Sequence, residues 1–322
     1  MIVRWSLGEL PGVLAELGVE RPLLVASERW DREVVPVDVS GVFSEVPTDD
    51  VARAAEAAGG ADGLLALGGG TTIDLAKAVS AETGLPVVSV PTTYAGAEWT
   101  PYFGVRDPDR RVRGGGSGAH LAAAVYEPQL TLDLPRATTV GTAMNALAHS
   151  AEALYARGHN PDADEHALEG ARLISTFLPR VVDEPESLEL RRGLLQGAAE
   201  AGAALGGSGL ALGHAMAQAL GGRYGLPHGA MNAICLPAAL RFNEPVAAAA
   251  IRRFGEAMGT DDPAGRVQEL ARLGGFDRLR DLGVPKDDLG EVAEAAARRP
   301  GARLNPRPAS PAEIEELLLA LW

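Results

Sequence analysis

The chain has 322 residues, 46% of them hydrophobic and 22% charged, with a formal net charge of -14; that is enough for two domains, and too acidic for broad contact with nucleic acid or a membrane surface. With no apolar run near the ~18 residues of a membrane span and no basic-then-apolar leader, the expected setting is the cytoplasm. The single cysteine, Cys235, lies in the apolar run AICLPAAL, which excludes an internal disulfide and reads as a buried structural thiol.

Along residues 1–134, strand-like and helix-like patterns alternate. A helix is predicted at 10–17, strands at 21–27 and 34–39, and a helix at 49–58 after the capping candidate Thr48. The stretch GLLALGGGTTIDLAKAVS, 63–80, organises this half. Leu64 to Leu67 read as a buried strand, Gly68, Gly69 and Gly70 as a turn, and Thr71 and Thr72 as the opening of a helix that includes Asp74. The first amides of such a helix lack internal partners and its dipole favours negative charge, so the turn suits a pyrophosphate. A second buried strand, 86–90, leads into a hydroxyl-rich loop at 91–100 carrying Thr92, Thr93, Tyr94 and Thr100. In a doubly wound sheet both loops face the crevice at the strand ends. VRGGGSGA, 112–119, reads as a flexible hairpin connection, or else as a lid over the crevice.

From Arg136 the chain is alanine-rich with helical periodicity, and Pro161, Pro179, Pro185, Pro227, Pro245 and Pro285 fall at expected helix boundaries. Near the end, Ser310 as N-cap and Pro311 at the first position start a final helix. The fold expected is α/β then all-α: a parallel-sheet domain at 1–134 and a helical domain at 135–322. Within the second, Asn145 and His149 are four apart and share one helix face, and His214 and His228 follow in glycine- and alanine-rich segments where the rings can converge. His120, His159 and His166 stand in polar surroundings and read as ordinary hydrogen-bonded core or surface histidines.

GGGTTIDLAK, PTTYAGAEWTP, MNALAHSAEALY, the His214 to His228 segment and NPRP resemble, in order and over nearly the whole chain, the iron-containing alcohol dehydrogenase superfamily, and within it the maleylacetate reductase branch. The resemblance implies a dehydroquinate synthase-like architecture with a cleft between the domains for NADH or NADPH and substrate, and assigns dinucleotide binding to the domain at 1–134 and substrate and catalysis to that at 135–322. It assigns the cofactor to Gly68, Gly69, Gly70, Thr71, Asp74, Thr92, Thr93 and Thr100. Ser27 falls where many members carry an aspartate against the adenosine ribose, and a serine there tolerates a 2′-phosphate.

Metal-bearing members use one aspartate and three histidines at the positions of Asn145, His149, His214 and His228. An amide in place of the carboxylate removes the anionic ligand, so the metal is expected to be absent; any ion would rest on the three histidines. Gln218 stands where many metal-bearing members have a further histidine. In the reductase reading, hydride reaches the conjugated double bond of maleylacetate or a related unsaturated oxo acid, giving 3-oxoadipate in aromatic-compound degradation. His149, His214 and His228 stabilise the enolate and return a proton, with Asn145 orienting or donating. Tyr94 is either a further donor or a packed aromatic. Arg223 and Arg113 are candidates for the substrate carboxylates, or else solvated surface arginines. Two other activities fit the architecture: a metal-dependent alcohol or aldehyde dehydrogenase, and a dehydroquinate synthase-like lyase. The lyase is disfavoured because lysine occurs only at Lys77 and Lys286. A homodimer is implied, with residues 1–5 as a candidate edge strand.

Overall fold

Strand β4 (Gly63–Gly68) is buried at every position, and its side chains divide between two cores. Leu65 and Leu67 join α1 (Leu10–Leu17) through Leu10, Val13 and Leu14. Leu64 and Ala66 join α2 (Val51–Ala57) and α3 (Gly70–Thr83) through Ala54, Ile73, Ala76 and Val79. A strand covered on both faces has no polar side, which is why this run is continuously apolar rather than alternating. Full burial of each such leucine contributes roughly 2 kcal/mol.

The computed structural model describes residues Met1–Trp322, and the chain divides into two units, Met1–Thr131 and Leu132–Trp322. In the first, β1 (Ile2–Arg4), β2 (Pro22–Ala26), β3 (Gly41–Phe43), β5 (Pro86–Pro91) and β8 (His120–Val125) join β4 in an all-parallel sheet of order β1-β8-β5-β4-β2-β3. The chain leaves β2 toward one edge and β4 toward the other. The order therefore reverses between them, and Ser27 and the glycine turn, at their carboxyl ends, flank the switch point where ligands bind in such sheets.

Two readings of this half need correction. Residues 34–39 form no strand: a 3₁₀ turn, Arg32–Val34, leads into irregular chain, and Pro36 cannot donate to a ladder. Its valines still pack against the α1 core, and the strand starts only at Gly41. The glycine-rich connection at 112–119 contains strand β7 (Val112–Gly116), paired antiparallel with β6 (Phe103–Arg106). A Cβ at Gly116 would stand 2.7 Å from the Phe103 ring, and one at Gly115 2.7 Å from the Phe103 carbonyl oxygen. The expected hairpin is therefore present, but these glycines allow its strands to pair closely where a flexible connection was expected.

The second unit consists of α4 (Arg136–Ala153), α5 (Pro161–Asp183), α6 (Leu188–Gly207), α7 (Leu212–Tyr224), α8 (His228–Met258), α9 (Pro263–Arg272), α10 (Leu289–Ala297), α11 (Pro300–Leu304) and α12 (Pro311–Leu321), with short 3₁₀ turns between. Helix α4 is buried on nearly every face from Thr139 onward, as befits a core helix without a polar stripe. Pro179 lies inside α5 rather than at its boundary. Pro237 and Pro245 lie inside α8, where Ala247 leaves helical geometry (φ -130°, ψ 24°) and bends the helix. By length and hydropathy α8 alone passes as a membrane span, yet over half of its apolar window is buried within the protein. Ser310 and Glu313 form the reciprocal capping box that starts α12.

Candidate active site

Helix α3 starts directly after β4, with Gly69 as an N-cap that offers no side-chain acceptor. The Gly69 carbonyl accepts from the N–H groups of Thr72 (3.0 Å) and Ile73 (3.1 Å), and the amides of Gly70 and Thr71 open the helix beyond its own ladder. Gly69, Gly70 and Thr71 are half-buried and open to an incoming group. Unpaired amides at the positive end of a helix dipole, beside residues with little side-chain bulk, fit the pyrophosphate of a dinucleotide.

The expected lining around this turn is partly different. Asp74 was expected among the cofactor groups. Its Oδ1 pairs with Lys77 Nζ at 2.8 Å and its Oδ2 accepts from Gly104 N–H at 3.1 Å. Buried Lys77 also donates to the carbonyls of Ala97 (2.8 Å), Thr100 (3.2 Å) and Tyr102. Asp74 and Lys77 thus pin the loop after β5. On the same loop Trp99 Nε1 donates to Tyr126 Oη and Tyr126 donates to Glu98, both at 2.7 Å, and burial pushes the Glu98 carboxyl up. Thr92 and Thr100 are buried within this bracing, whereas Thr93 stays half-exposed against Gly69. Tyr94 is wholly buried and its phenol donates to Thr131 Oγ1 at 3.2 Å, so the packed-aromatic reading holds and the donor role does not. Ser27, half-buried at the end of β2, presents no acid.

In the second unit the three histidines converge. His149 and His214 stack with ring centroids 4.9 Å apart at 17°, and His214 and His228 lie 5.7 Å apart at 52°. Close backbone approach makes this possible: a Cβ at Gly229 would collide with the Gly141 carbonyl, which brings the start of α8 against α4. Asn145 Nδ2 stands 3.3 Å from His149 Nε2. Its Oδ1 accepts from Asn232 Nδ2 at 2.6 Å, and the same Asn232 nitrogen is 3.1 Å from His228 Nε2. Burial, with His214 and His228 beside it, holds the His149 imidazole well below the usual histidine range. Beneath His214 lies Glu152, fully buried, with Oε2 2.8 Å from His214 Nδ1. Asn232 and Glu152 were not among the sequence candidates. Glu152 lies three residues beyond His149 in the same motif, a helical spacing that could have drawn attention to it.

A divalent metal needs lone pairs turned inward, preferably with an anionic oxygen among them. Here an amide nitrogen faces a ring nitrogen of His149 and another faces one of His228, the Asn145 oxygen accepts from Asn232, and no three His, Cys, Asp or Glu side chains form a metal-binding group. Asn145, His149, His214 and His228 thus bring no anionic oxygen to an ion, although His149 Nδ1 and His214 Nε2 are buried without a partner.

The arginines assigned to substrate are held by acids. Arg223 reaches Asp288 (3.2 Å) and Glu291 (2.8 Å). Arg113 reaches Asp107 with Nε at 2.6 Å and Nη2 at 2.5 Å. Both arginine side chains remain substantially exposed, although Asp107 itself is buried, which places both in the solvated reading. His166 pairs with Glu200, and His159 and His120 are exposed.

A doubly wound unit with a phosphate cradle and a helical unit with a buried histidine cluster are the parts of a nicotinamide-dependent oxidoreductase. The model of iron-containing alcohol dehydrogenase matches residues 2–126, and that of the C-terminal part of the Fe-containing alcohol dehydrogenase family matches residues 139–322. The chain belongs to the iron-containing alcohol dehydrogenase family. It is similar to the maleylacetate reductase of Pseudomonas knackmussii, 36% identical over 334 aligned positions covering 98% of this chain and 92% of the other. The maleylacetate reductase of Burkholderia cepacia is 38% identical over 260 positions, 80% of this chain and 73% of its own. The crystal structure of maleylacetate reductase from Agrobacterium tumefaciens superposes with a TM-score of 0.90 at 32% identity, covering 100% of this chain and 95% of that one.

Proposed function

We propose that the chain is a metal-independent maleylacetate reductase, reducing the conjugated double bond of maleylacetate, or of a closely related dicarboxylic oxo acid, in the degradation of aromatic compounds. The observation that carries this reading is Asn145: its amide nitrogen faces His149 and its oxygen is held by Asn232, an arrangement suited to hydrogen bonding. Gly69, Gly70 and Thr71 would hold the pyrophosphate of NADH or NADPH, and Ser27 leaves room for either ribose. When bound, the reduced nicotinamide supplies the hydride.

The chain's own residues have two tasks. Hydride arriving at the β-carbon drives charge onto the ketone oxygen, and that oxyanion needs a donor. With Asn145 Nδ2 turned toward His149 Nε2, the remaining proton of neutral His149 sits on Nδ1, a buried nitrogen without a partner. The cluster also returns a proton to carbon as the enolate collapses, and His214 and His228 share that role. A cytoplasmic homodimer belongs to the same reading.

The test is oxidation of NADH and of NADPH by the purified protein with maleylacetate, with and without a chelator, and with metal content and sedimentation behaviour read on the same sample. Turnover that survives chelation in metal-free dimers is expected, with both cofactors active. Turnover that requires added zinc or iron would instead mark a metal-dependent dehydrogenase.

A further inference from the structure

Glu152 is the most deeply set charged group beside the histidine cluster. It lies near the carboxyl end of α4 and is fully buried. Three N–H groups converge on it. Ala211 N–H (2.6 Å) and His214 Nδ1 (2.8 Å) reach Oε2, and His214 N–H (3.2 Å) reaches Oε1. Gly213 makes room for the carboxylate, since a Cβ there would stand 2.8 Å from Oε1. The far nitrogen of the same ring, His214 Nε2, is buried without a partner.

We infer that Glu152 is a positioning residue: it fixes His214 in the Nδ1–H tautomer and locks its ring plane, so that Nε2 alone is left to act within the histidine cluster. The inference rests on the proposal that this cluster serves the reduction. A carboxylate only accepts, so the ring nitrogen facing it must carry the proton, and a neutral imidazole has one N–H. The lone pair then lies on Nε2. The same contacts hold the plane in which His214 stacks on His149. Glu152 also caps the start of α7, and that structural task is the rival account of its presence.

Glu152→Gln separates the two. The two backbone N–H groups approach different oxygens and an amide has only one. Its nitrogen therefore opposes His214 N–H at the Oε1 position, or at the Oε2 position opposes Ala211 N–H and donates to His214 Nδ1, reversing the tautomer. In full-length protein with 15N-labelled histidine, the His214 signals, assigned by their loss in His214→Gln, should show Nδ1–H alone in the wild type and a mixture of Nδ1–H and Nε2–H in Glu152→Gln, as the amide takes both orientations. The kcat of that variant should fall by about 10²–10⁴-fold with KM changed less than about threefold. Glu152→Asp, which keeps a carboxylate, should retain the Nδ1–H signal and recover part of kcat.

Asn305→Ala is the structural control. Asn305 Oδ1 accepts from Leu212 N–H (3.3 Å) at the same helix end without touching the ring. It should lower Tm and leave the tautomer in place. Three results would overturn the inference: a wild-type His214 in the Nε2–H form, an unchanged tautomer and kcat in Glu152→Gln, or Asn305→Ala losing kcat as far as Glu152→Gln at equal loss of Tm. Absence of wild-type turnover with maleylacetate would overturn the proposed reaction, while the 15N spectrum would still decide the positioning role.

Discussion

Asn145 differs from an aspartate by an NH₂ group in place of one oxygen, and that exchange decides what His149 can face. In Asn145→Asp an anionic oxygen replaces the N–H opposite His149 Nε2, favouring a bound cation or a proton on that nitrogen. Zinc affinity by equilibrium dialysis should rise at least about tenfold, and metal-free turnover should fall; unchanged affinity would mean that the amide is not what excludes the ion. His149 also leaves a mark on stability. Its imidazole is held below the usual range by burial first, so the unfolded chain takes up a proton near pH 6.5 that the folded chain resists. The associated stability is complete above that pH and is lost as pH falls toward the folded value. Tm measured between pH 7 and 5 should therefore drop in the wild type and drop less in His149→Gln. Histidines at helical spacing were legible because their chemistry is written in the residue type. Asn232 and Glu152 were not, because an asparagine or glutamate on an apolar helix becomes informative only when its partners, 87 and 62 residues away, are known. Tyr94 stayed open between two readings for a related reason: a hydroxyl in a polar-looking loop can point into the core.

In the loop after β5 a single side chain gathers several of the ties. Lys77 ties three carbonyls and Asp74 together from inside. Lys77→Met should cost about 3 kcal/mol of unfolding free energy in urea titration, because it removes charged hydrogen bonds and strands a carboxylate that is only about a quarter exposed. It should also weaken NADH binding, read by fluorescence titration, since the loop flanks the glycine turn. Loss of stability without loss of affinity would separate the loop from the cofactor. Long periodic helices and the β4 to α3 junction could be read from the chain directly. Strand β8 could not: HLAAAV is alanine-rich, lies one strand in from the sheet edge and has neither alternation nor β-branched residues except at its end, so only pairing with β1 and β5 defines it.

Over the whole molecule, 43 acidic against 29 basic residues leave a charge of -14, and the arginines considered for the substrate are engaged by carboxylates. A dianionic substrate approaches this field uphill. Raising ionic strength from about 10 to 150 mM should increase kcat/KM for maleylacetate a few-fold while kcat stays constant; a decrease would reveal a locally positive approach path. The two-unit organisation was visible as the point where strand patterns cease. The ties that complete the second unit were hidden, because they join distant stretches of chain. Asn305, from the NPRP motif, pairs with Asn243 through reciprocal amide bonds of 2.9 and 2.8 Å and accepts from Leu212 at the head of the histidine helix. On the ribosome this places a delay inside the protein: Leu212 emerges 93 residues ahead of its cap, about 5–20 s at ordinary rates of synthesis. The nascent chain thus carries all three histidines, and Glu152 to hold the first turn of the helix that bears His214, before Asn305 can complete the cap of that helix.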